Sequence, residues 1–224
     1  MSPVEVSFSG TDVWMFLLYA AGFSLTGVMA PGSITAATIA LGGRSRWAGA
    51  WIAAGHGLFE IPLIFLLLFG IGVYVQTNLA KIIIGLVGGL FLVWLGVQMF
   101  HDMARSSFDL KNSRGQSNTA GAMMTGFVLT ATNPYFLLWW AVGGLVLAQD
   151  ALKFGVWTLL LFVALHWSLD LIWLTILSMA TFYGASLLNV RNQRLLMGFC
   201  GAALLFFGGM FIARAVLLAR TGLV

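Results

Sequence analysis

The sequence predicts an all-α integral membrane protein with six transmembrane helices, arranged as two inverted-topology three-helix repeats whose first helices are broken. The composition predicts the class, because 60% of the 224 residues are hydrophobic and 8% are charged, against roughly 25% charged in ordinary soluble domains. Several apolar runs reach the roughly 20 residues that a helix needs to cross a bilayer, and none alternates with the period of a strand. An internal repeat predicts the arrangement.

Six apolar segments follow one another along the chain, at about 13–41, 48–75, 79–100, 121–148, 154–183 and 195–218. The first is longer than a signal-peptide core of about 7 to 15 residues and no Lys or Arg precedes it, so we expect it to remain as a span. The polar segment between the third and the fourth is expected to be a linker. The chain therefore divides into repeat 1 (1–101), a cytoplasmic linker (102–120) and repeat 2 (121–224).

Basic residues predict the orientation. Seven Lys and Arg residues fall on one side of the six spans, in the loops near 44, 101–119 and 191. By the positive-inside bias these loops are cytoplasmic, so we expect a multi-pass protein of the cell membrane with both termini outside. The net charge of +4 is explained by topology, and no nucleic-acid partner is expected; the lipid bilayer is the expected surroundings.

The two halves repeat each other. The stretch GFSLT at 22–26 corresponds to GFVLT at 126–130, and Pro31 corresponds to Pro134. Glycines at 85, 88 and 96 match glycines at 198, 201 and 209, and they are expected to allow close helix packing. Because three spans are duplicated, the second copy enters the membrane from the opposite side, an arrangement typical of secondary transporters.

Two helices carry an ionisable pair inside an apolar run. His56 and Glu60 lie in the second span, and His166 and Asp170 lie in the fifth at the same spacing. Residues four apart share a helix face, and such residues in a membrane face a bundle interior or a watery cavity. Since the two spans should be antiparallel, we expect His56 to lie level with Asp170 and His166 with Glu60. The pairs could bind a cationic group, exchange a proton, or join the helices by hydrogen bonds.

Two spans contain a helix breaker. The first carries Pro31, Gly32 and Ser33, and the fourth carries Asn133 and Pro134. Proline suits the first position of a new helix, where Asn133 could cap, so each span could be two half-helices. The start of the second half-helix would then present N–H groups to an anion such as a carboxylate. Tyr135, Trp139 and Trp140 follow the second breaker and, like Trp167, are candidates for the cavity wall.

At these residues the chain resembles the lysine-exporter (LysE/RhtB) translocator family. The resemblance covers essentially the whole chain and rests on APGSITAATIALGGRSRWAG, on the GH-x-x-x-E helix and on FVLTATNPYFLLWW. It implies six spans in an inverted repeat, often as a homodimer, exporting amino acids with the proton or ion gradient. Ser33 and Tyr135 replace a proline and a lysine common in the family, so a divergent member is expected.

These observations predict a secondary transporter that exports an amino acid or a related zwitterion, with no enzymatic activity and no cofactor. Gly32, Ser33 and Asn133 are expected to hold the solute carboxylate, and Glu60 and Asp170 its ammonium group or the coupling proton. The two histidines would set the protonation of the acids. Three alternatives stay open: a divalent-cation exporter that uses the His and acid pairs as ligands, an intramembrane metal enzyme and a membrane scaffold.

Overall fold

A computed structural model describes residues 10–30, 32–70, 77–104, 118–187 and 190–221. Over these residues the regular structure is helical, without a strand. We number the α-helices in chain order and name the five-residue π-helical stretch the π-turn. The elements are α1 (Gly10–Val28), α2 (Ser33–Gly42), α3 (Ala48–Leu68), α4 (Asn78–Ala104), α5 (Thr119–Ala131), α6 (Pro134–Trp139), the π-turn (Trp140–Gly144), α7 (Leu145–Lys153), α8 (Val156–Leu187) and α9 (Val190–Thr221).

Four helices are long and apolar enough to cross a membrane, namely α3, α4, α8 and α9. The bent pair of α1 and α2 is a fifth span if the two helices are counted together. The predicted fourth span is divided into α5, α6, the π-turn and α7, none of which is long enough alone. An all-helical multi-pass membrane protein is therefore confirmed, whereas the count of six spans stays a prediction.

The first span bends where the sequence predicts a breaker. Helix α1 ends at Val28 and α2 begins at Ser33, and the two axes differ by 75°. Gly32 precedes α2 in an extended conformation. Pro31, which predicted the break, lies outside the described residues.

The second break is capped by the residue that was expected to cap it. Helix α5 ends at Ala131 and α6 begins at Pro134. The Asn133 Oδ1 accepts hydrogen bonds from the backbone N–H groups of Tyr135, at 3.0 Å, and of Phe136, at 3.4 Å. Asparagine is well suited to this N-cap position, and proline to the first helical position after it.

Helix α3 lies between α5 on one side and α8 on the other. Its contact with α5 is backbone to backbone, because a Cβ atom at Gly55 would overlap the carbonyl group of Met123, and one at Gly126 would overlap that of Ile52. On the opposite side, Trp167 of α8 donates its indole N–H to the Ala53 carbonyl at 3.0 Å. These contacts fix the faces of α3 and α8 that carry the histidines and acids.

Helices α4 and α9 pack against each other along their length. A Cβ atom at Gly89 would lie 2.8 Å from the Gly208 carbonyl oxygen, and the converse distance is also 2.8 Å. Gly85 faces Phe211 and Ala215, which lie one and two turns after Gly208 along α9. The predicted role in close packing is thus confirmed in this helix pair for Gly85, Gly96 and Gly201, whereas Gly88 faces Thr132 and a Cβ atom at Gly209 would meet nothing within 4 Å.

Candidate functional site

The four ionisable side chains of α3 and α8 converge. His56 lies 4% exposed, Glu60 0%, His166 3% and Asp170 7%. The Nε2 atom of His166 is 3.2 Å from the Glu60 Oε1, and the Nε2 atom of His56 is 3.7 Å from the Asp170 Oδ2. The predicted cross-pairing of antiparallel helices is therefore present, and it brings both imidazoles to one centre.

Glu60 contacts both histidines of this cluster and Trp140 as well. Its Oε1 atom lies 3.1 Å from the His56 Nε2, 3.2 Å from the His166 Nε2 and 2.9 Å from the Trp140 Nε1, whose N–H it accepts. Trp140 begins the π-turn and is fully buried. One carboxylate oxygen thus connects three segments that are distant in the sequence.

The outer nitrogen of each histidine meets a hydroxyl group. His56 Nδ1 lies 2.8 Å from the Thr130 Oγ1, and His166 Nδ1 lies 2.8 Å from the Ser24 Oγ. The Thr130 hydroxyl donates to the Gly126 carbonyl at 2.6 Å, so toward His56 it can only accept. This network assigns a proton to the Nδ1 atom of His56.

That assignment limits how His56 and Glu60 can pair. With Nδ1 protonated, a neutral imidazole has a bare Nε2, and a carboxylate oxygen cannot donate to it. The 3.1 Å contact is therefore a hydrogen bond only when one more proton lies on Nε2 or on Oε1. The geometry allows the pair to share such a proton.

Aromatic rings enclose the two imidazoles. Trp139 stacks on His166, with ring centroids 5.4 Å apart and an interplanar angle of 28°, and Trp140 meets the same ring edge-on at 5.0 Å. Phe136 approaches His56 edge-on at 5.1 Å. Because the four ionisable side chains are at most 7% exposed, charges inside the cluster act in a medium of lower dielectric constant than water.

A cavity of about 90 Å³ opens beside the cluster. We call it the buried cavity, because the four ionisable residues that line it are buried. It is lined by all four ionisable residues and by Gly32, Ser33, Thr35, Asn133, Tyr135, Phe136, Trp139 and Trp140, among others. The predicted site residues that line it are His56, Glu60, His166, Asp170, Gly32, Ser33, Asn133 and Tyr135. The cavity has room for roughly six to nine water molecules or a small solute.

Three oxygen atoms of residues in the cavity wall are buried without a hydrogen-bond partner among the described residues. They are Oε2 of Glu60, Oδ2 of Asp170 and Oγ of Ser33. Buried polar atoms are otherwise almost always paired, so each of these marks a place where a ligand or an ordered water would bond. The two acids provide acceptors at one wall, and Ser33 provides a hydroxyl at another.

The two half-helix starts at the cavity differ in their capping. At α6 the Asn133 side chain already accepts from the first-turn N–H groups. At α2 the residue before the helix is Gly32, and no side chain caps the first turn. The free N–H groups and the positive dipole end of α2 are therefore open to an anion, whereas those of α6 are satisfied.

Three ligand atoms of the cluster also have the spacing of a metal site. One ring nitrogen of His56 and one carboxylate oxygen each of Glu60 and Asp170 lie within 4.8 Å of one another. The Nε2 atom of His166 lies 3.2 Å from the Glu60 Oε1 and 3.7 Å from the Asp170 Oδ2. Nitrogen and carboxylate donors suit a divalent cation such as Zn²⁺.

The residues that contact the four ionisable side chains are less conspicuous in the sequence. Trp140 and Trp139, named only as candidates for the cavity wall, contact the cluster directly. Thr130 and Ser24 were noted only as part of the repeat, although small polar residues inside apolar spans are a usable signal. Trp167 instead faces α3 and donates to the Ala53 carbonyl.

The chain has relatives among known proteins. A family model described as LysE type translocator matches residues 25–215. The protein named "Putative amino acid efflux protein YcgF" from Bacillus subtilis (strain 168) is 27% identical over 201 residues, which cover 88% of this chain and 94% of that protein. No solved structure matches the chain significantly.

Proposed function

We propose, because the chain belongs to the LysE type translocator family, that it exports an amino acid by secondary active transport coupled to protons. As a translocator it is a multi-pass membrane transporter and not an enzyme. The printed name of the Bacillus relative supports amino acid efflux. The observation that carries the proposal is the buried cavity with acidic acceptors at one wall and an uncapped helix start at another.

The arrangement suits a zwitterion. The ammonium group of an amino acid would donate to the unpaired oxygens of Glu60 and Asp170, and its carboxylate would accept from the first turn of α2 and from the Ser33 hydroxyl. Asn133, which was expected to hold the solute carboxylate, has a smaller role in this proposal. Its carbonyl oxygen caps α6, so only its side-chain N–H₂ group remains for the solute.

The coupling proton is proposed to be the one shared by Glu60 and the imidazoles. An arriving ammonium group would compete with that proton for the same carboxylate, because two positive charges in a desolvated site repel each other. Binding of solute and binding of the proton would then exclude each other. Such exclusion is the requirement for exchange of one against the other.

Alternating access is proposed to come from two inverted repeats rocking against each other. The helix contacts support this, since they are symmetric under exchange of the halves: α3 packs on α5, and α8 packs on α1 and α2. In such an arrangement the contacting pairs α3 with α8 and α4 with α9 would lie across the symmetry axis. The cell membrane location, outward termini and a homodimer stay predictions from the loop charges and the family.

Divalent-cation export is the second candidate, supported by the close spacing of ligand atoms from His56, Glu60 and Asp170. In that case the cation is the cargo and the two histidines and two acids are its ligands. The relative's name favours the amino acid. Measuring the metal content of the purified protein after chelation and reloading distinguishes the two candidates. If a divalent cation is the cargo, the reloaded protein should bind it stoichiometrically, and His56→Ala should lose this binding.

The direct test is flux into proteoliposomes with an imposed pH gradient, for labelled amino acids and for divalent cations in parallel. Asp170→Asn should abolish amino acid flux and its pH coupling. Asp150→Asn is the matched control, because this exposed carboxylate pairs with Lys153 at 2.6 Å away from the cluster. Retained, gradient-driven amino acid flux in Asp170→Asn would contradict the proposed role of the carboxylate.

The proposed binding place for the solute carboxylate is tested by substitutions at Gly32. A Cβ atom there has nothing nearer than the Ala30 carbonyl oxygen at 4.0 Å, so side chains are accommodated. Gly32→Asp would cap α2 and stabilise it by roughly a few tenths of a kcal/mol, yet occupy the proposed site and abolish transport. Gly32→Ala is the control, which should keep transport. Equal transport by the two variants would remove the α2 start from the mechanism.

A further inference from the structure

A second, larger cavity adjoins the buried one and has a volume of about 580 Å³. The same residues at the two helix breaks face both cavities: Ala30, Gly32, Ser33, Asn133 and Tyr135. Beyond them the larger cavity extends between α4, α6 and α9. We call it the vestibule. It begins where the proposed binding place for the solute carboxylate ends.

The two cavities differ in what they can hold. The buried cavity, at about 90 Å³, has room for roughly six to nine water-sized groups. That space suits the ammonium, α-carbon and carboxylate that all amino acids share, and leaves little for a large side chain. A bulky side chain attached to a head bound there has to extend into the vestibule.

The vestibule wall is mostly apolar. Its large side chains include Ile84, Leu137, Phe207, Met210 and Phe211. Apolar groups placed against such a wall lose their contact with water, which is favourable in proportion to the area covered. The wall therefore favours aliphatic and aromatic side chains.

The charges of the vestibule exclude one class of solute. Its charged lining residues are Lys81 and Arg214, both exposed, and no carboxylate of the described residues lines it. A lysine or arginine side chain would give up water of hydration without gaining an anionic partner. It would also meet two like charges.

We infer that the transported amino acid carries a bulky, uncharged side chain of the leucine, methionine or phenylalanine type, which lies in the vestibule while its head lies in the buried cavity. This inference rests on the proposed function, since it assumes an amino acid at the cluster. It goes further by assigning the side chain a site of its own. Basic amino acids are excluded as substrates.

The test measures transport of leucine, phenylalanine, alanine and lysine into proteoliposomes. Alanine needs only the buried cavity and is the internal control. We expect leucine and phenylalanine to have a KM at least about tenfold below that of alanine, and lysine not to be transported. Lysine transport, or equal KM values for alanine and leucine, would overturn the inference while leaving amino acid transport in place. Absence of flux for every amino acid would overturn the proposed function and this inference together.

Two variants locate the side-chain site. Ala141 lines the vestibule and not the buried cavity, so Ala141→Phe should raise the KM of leucine about tenfold and leave alanine unchanged. Ile84→Glu places an acid in the vestibule, and should weaken leucine transport and admit lysine. In both variants alanine flux reports that the protein is folded. An unchanged KM of leucine in both variants, with alanine flux retained, would place the side chain elsewhere and overturn the inference.

Discussion

Glu60 and Asp170 occupy matching positions in the two halves, four residues after a histidine on antiparallel helices, yet their surroundings differ. Glu60 Oε1 lies within hydrogen-bond distance of three nitrogen atoms, whereas the Asp170 Oδ2 lies 3.7 Å from both imidazoles, beyond a hydrogen bond. Glutamate reaches the centre because it has one methylene group more. The repeat therefore provides two acids, and their difference in side-chain length gives them different hydrogen-bond contacts.

The comparison extends to the second repeat's aromatic residues. Trp140 reaches Glu60 from the π-turn, while the corresponding break in the first half leads into α2, where Ser33 has no partner among the described residues for its hydroxyl. One break thus provides a donor that fixes an acid, and the other provides an open helix start. We interpret the first as structural support and the second as ligand space.

The largest effect expected is a difference in stability between the two amide substitutions. Glu60→Gln removes the charge that holds both imidazoles, and we expect a loss of about 3 kcal/mol in the free energy of unfolding. Asp170→Asn should change that free energy by less than about 1 kcal/mol, although both variants lose transport. Unfolding in mixed micelles measures the first quantity and proteoliposome flux the second. Equal destabilisation would mean that the two acids are equivalent after all.

A smaller effect is expected at the tryptophan that supports Glu60. Trp140→Phe keeps most of the ring but loses the N–H donor at 2.9 Å, which should cost about 1 kcal/mol and alter the pH dependence of transport. Trp167→Phe is the matched control, since it loses a hydrogen bond of 3.0 Å to the Ala53 carbonyl outside the cluster. It should cost similar stability and leave the pH profile unshifted. An unchanged pH profile in Trp140→Phe would show that Glu60 needs no donor from the π-turn.

The smallest effect is expected at the hydroxyl groups behind the histidines. Thr130→Val removes the acceptor that assigns the His56 tautomer, and Ser24→Ala removes the partner of His166. Each should cost about 0.6 kcal/mol, but Thr130→Val should disturb coupling more, because His56 can then exchange its protonated nitrogen. Nitrogen-resolved NMR of labelled histidine would report the tautomer. An unaltered Nδ1 proton in Thr130→Val would refute the assignment.

The sequence by itself determined the class and the repeat, and it predicted where the site lies. Hydropathy and charge predict a helical membrane protein because nothing else satisfies backbone groups in lipid. His56, Glu60, His166 and Asp170 are conspicuous for the same reason, since ionisable groups at that depth are expensive. Asn133 and Pro134 predict a new helix start from backbone chemistry alone, and the capping hydrogen bonds confirm it.

Only the tertiary structure decided how these parts divide the work. Which acid meets three nitrogen atoms depends on the sub-ångström approach of α3, α8 and the π-turn, and on a glutamate being longer than an aspartate, which no spacing rule conveys. The same holds for the open start of α2 beside the capped start of α6, and for the vestibule, because a cavity belongs to the packing of several helices and to no one of them. Periodicity identifies the face that a residue occupies, and packing decides what that face meets.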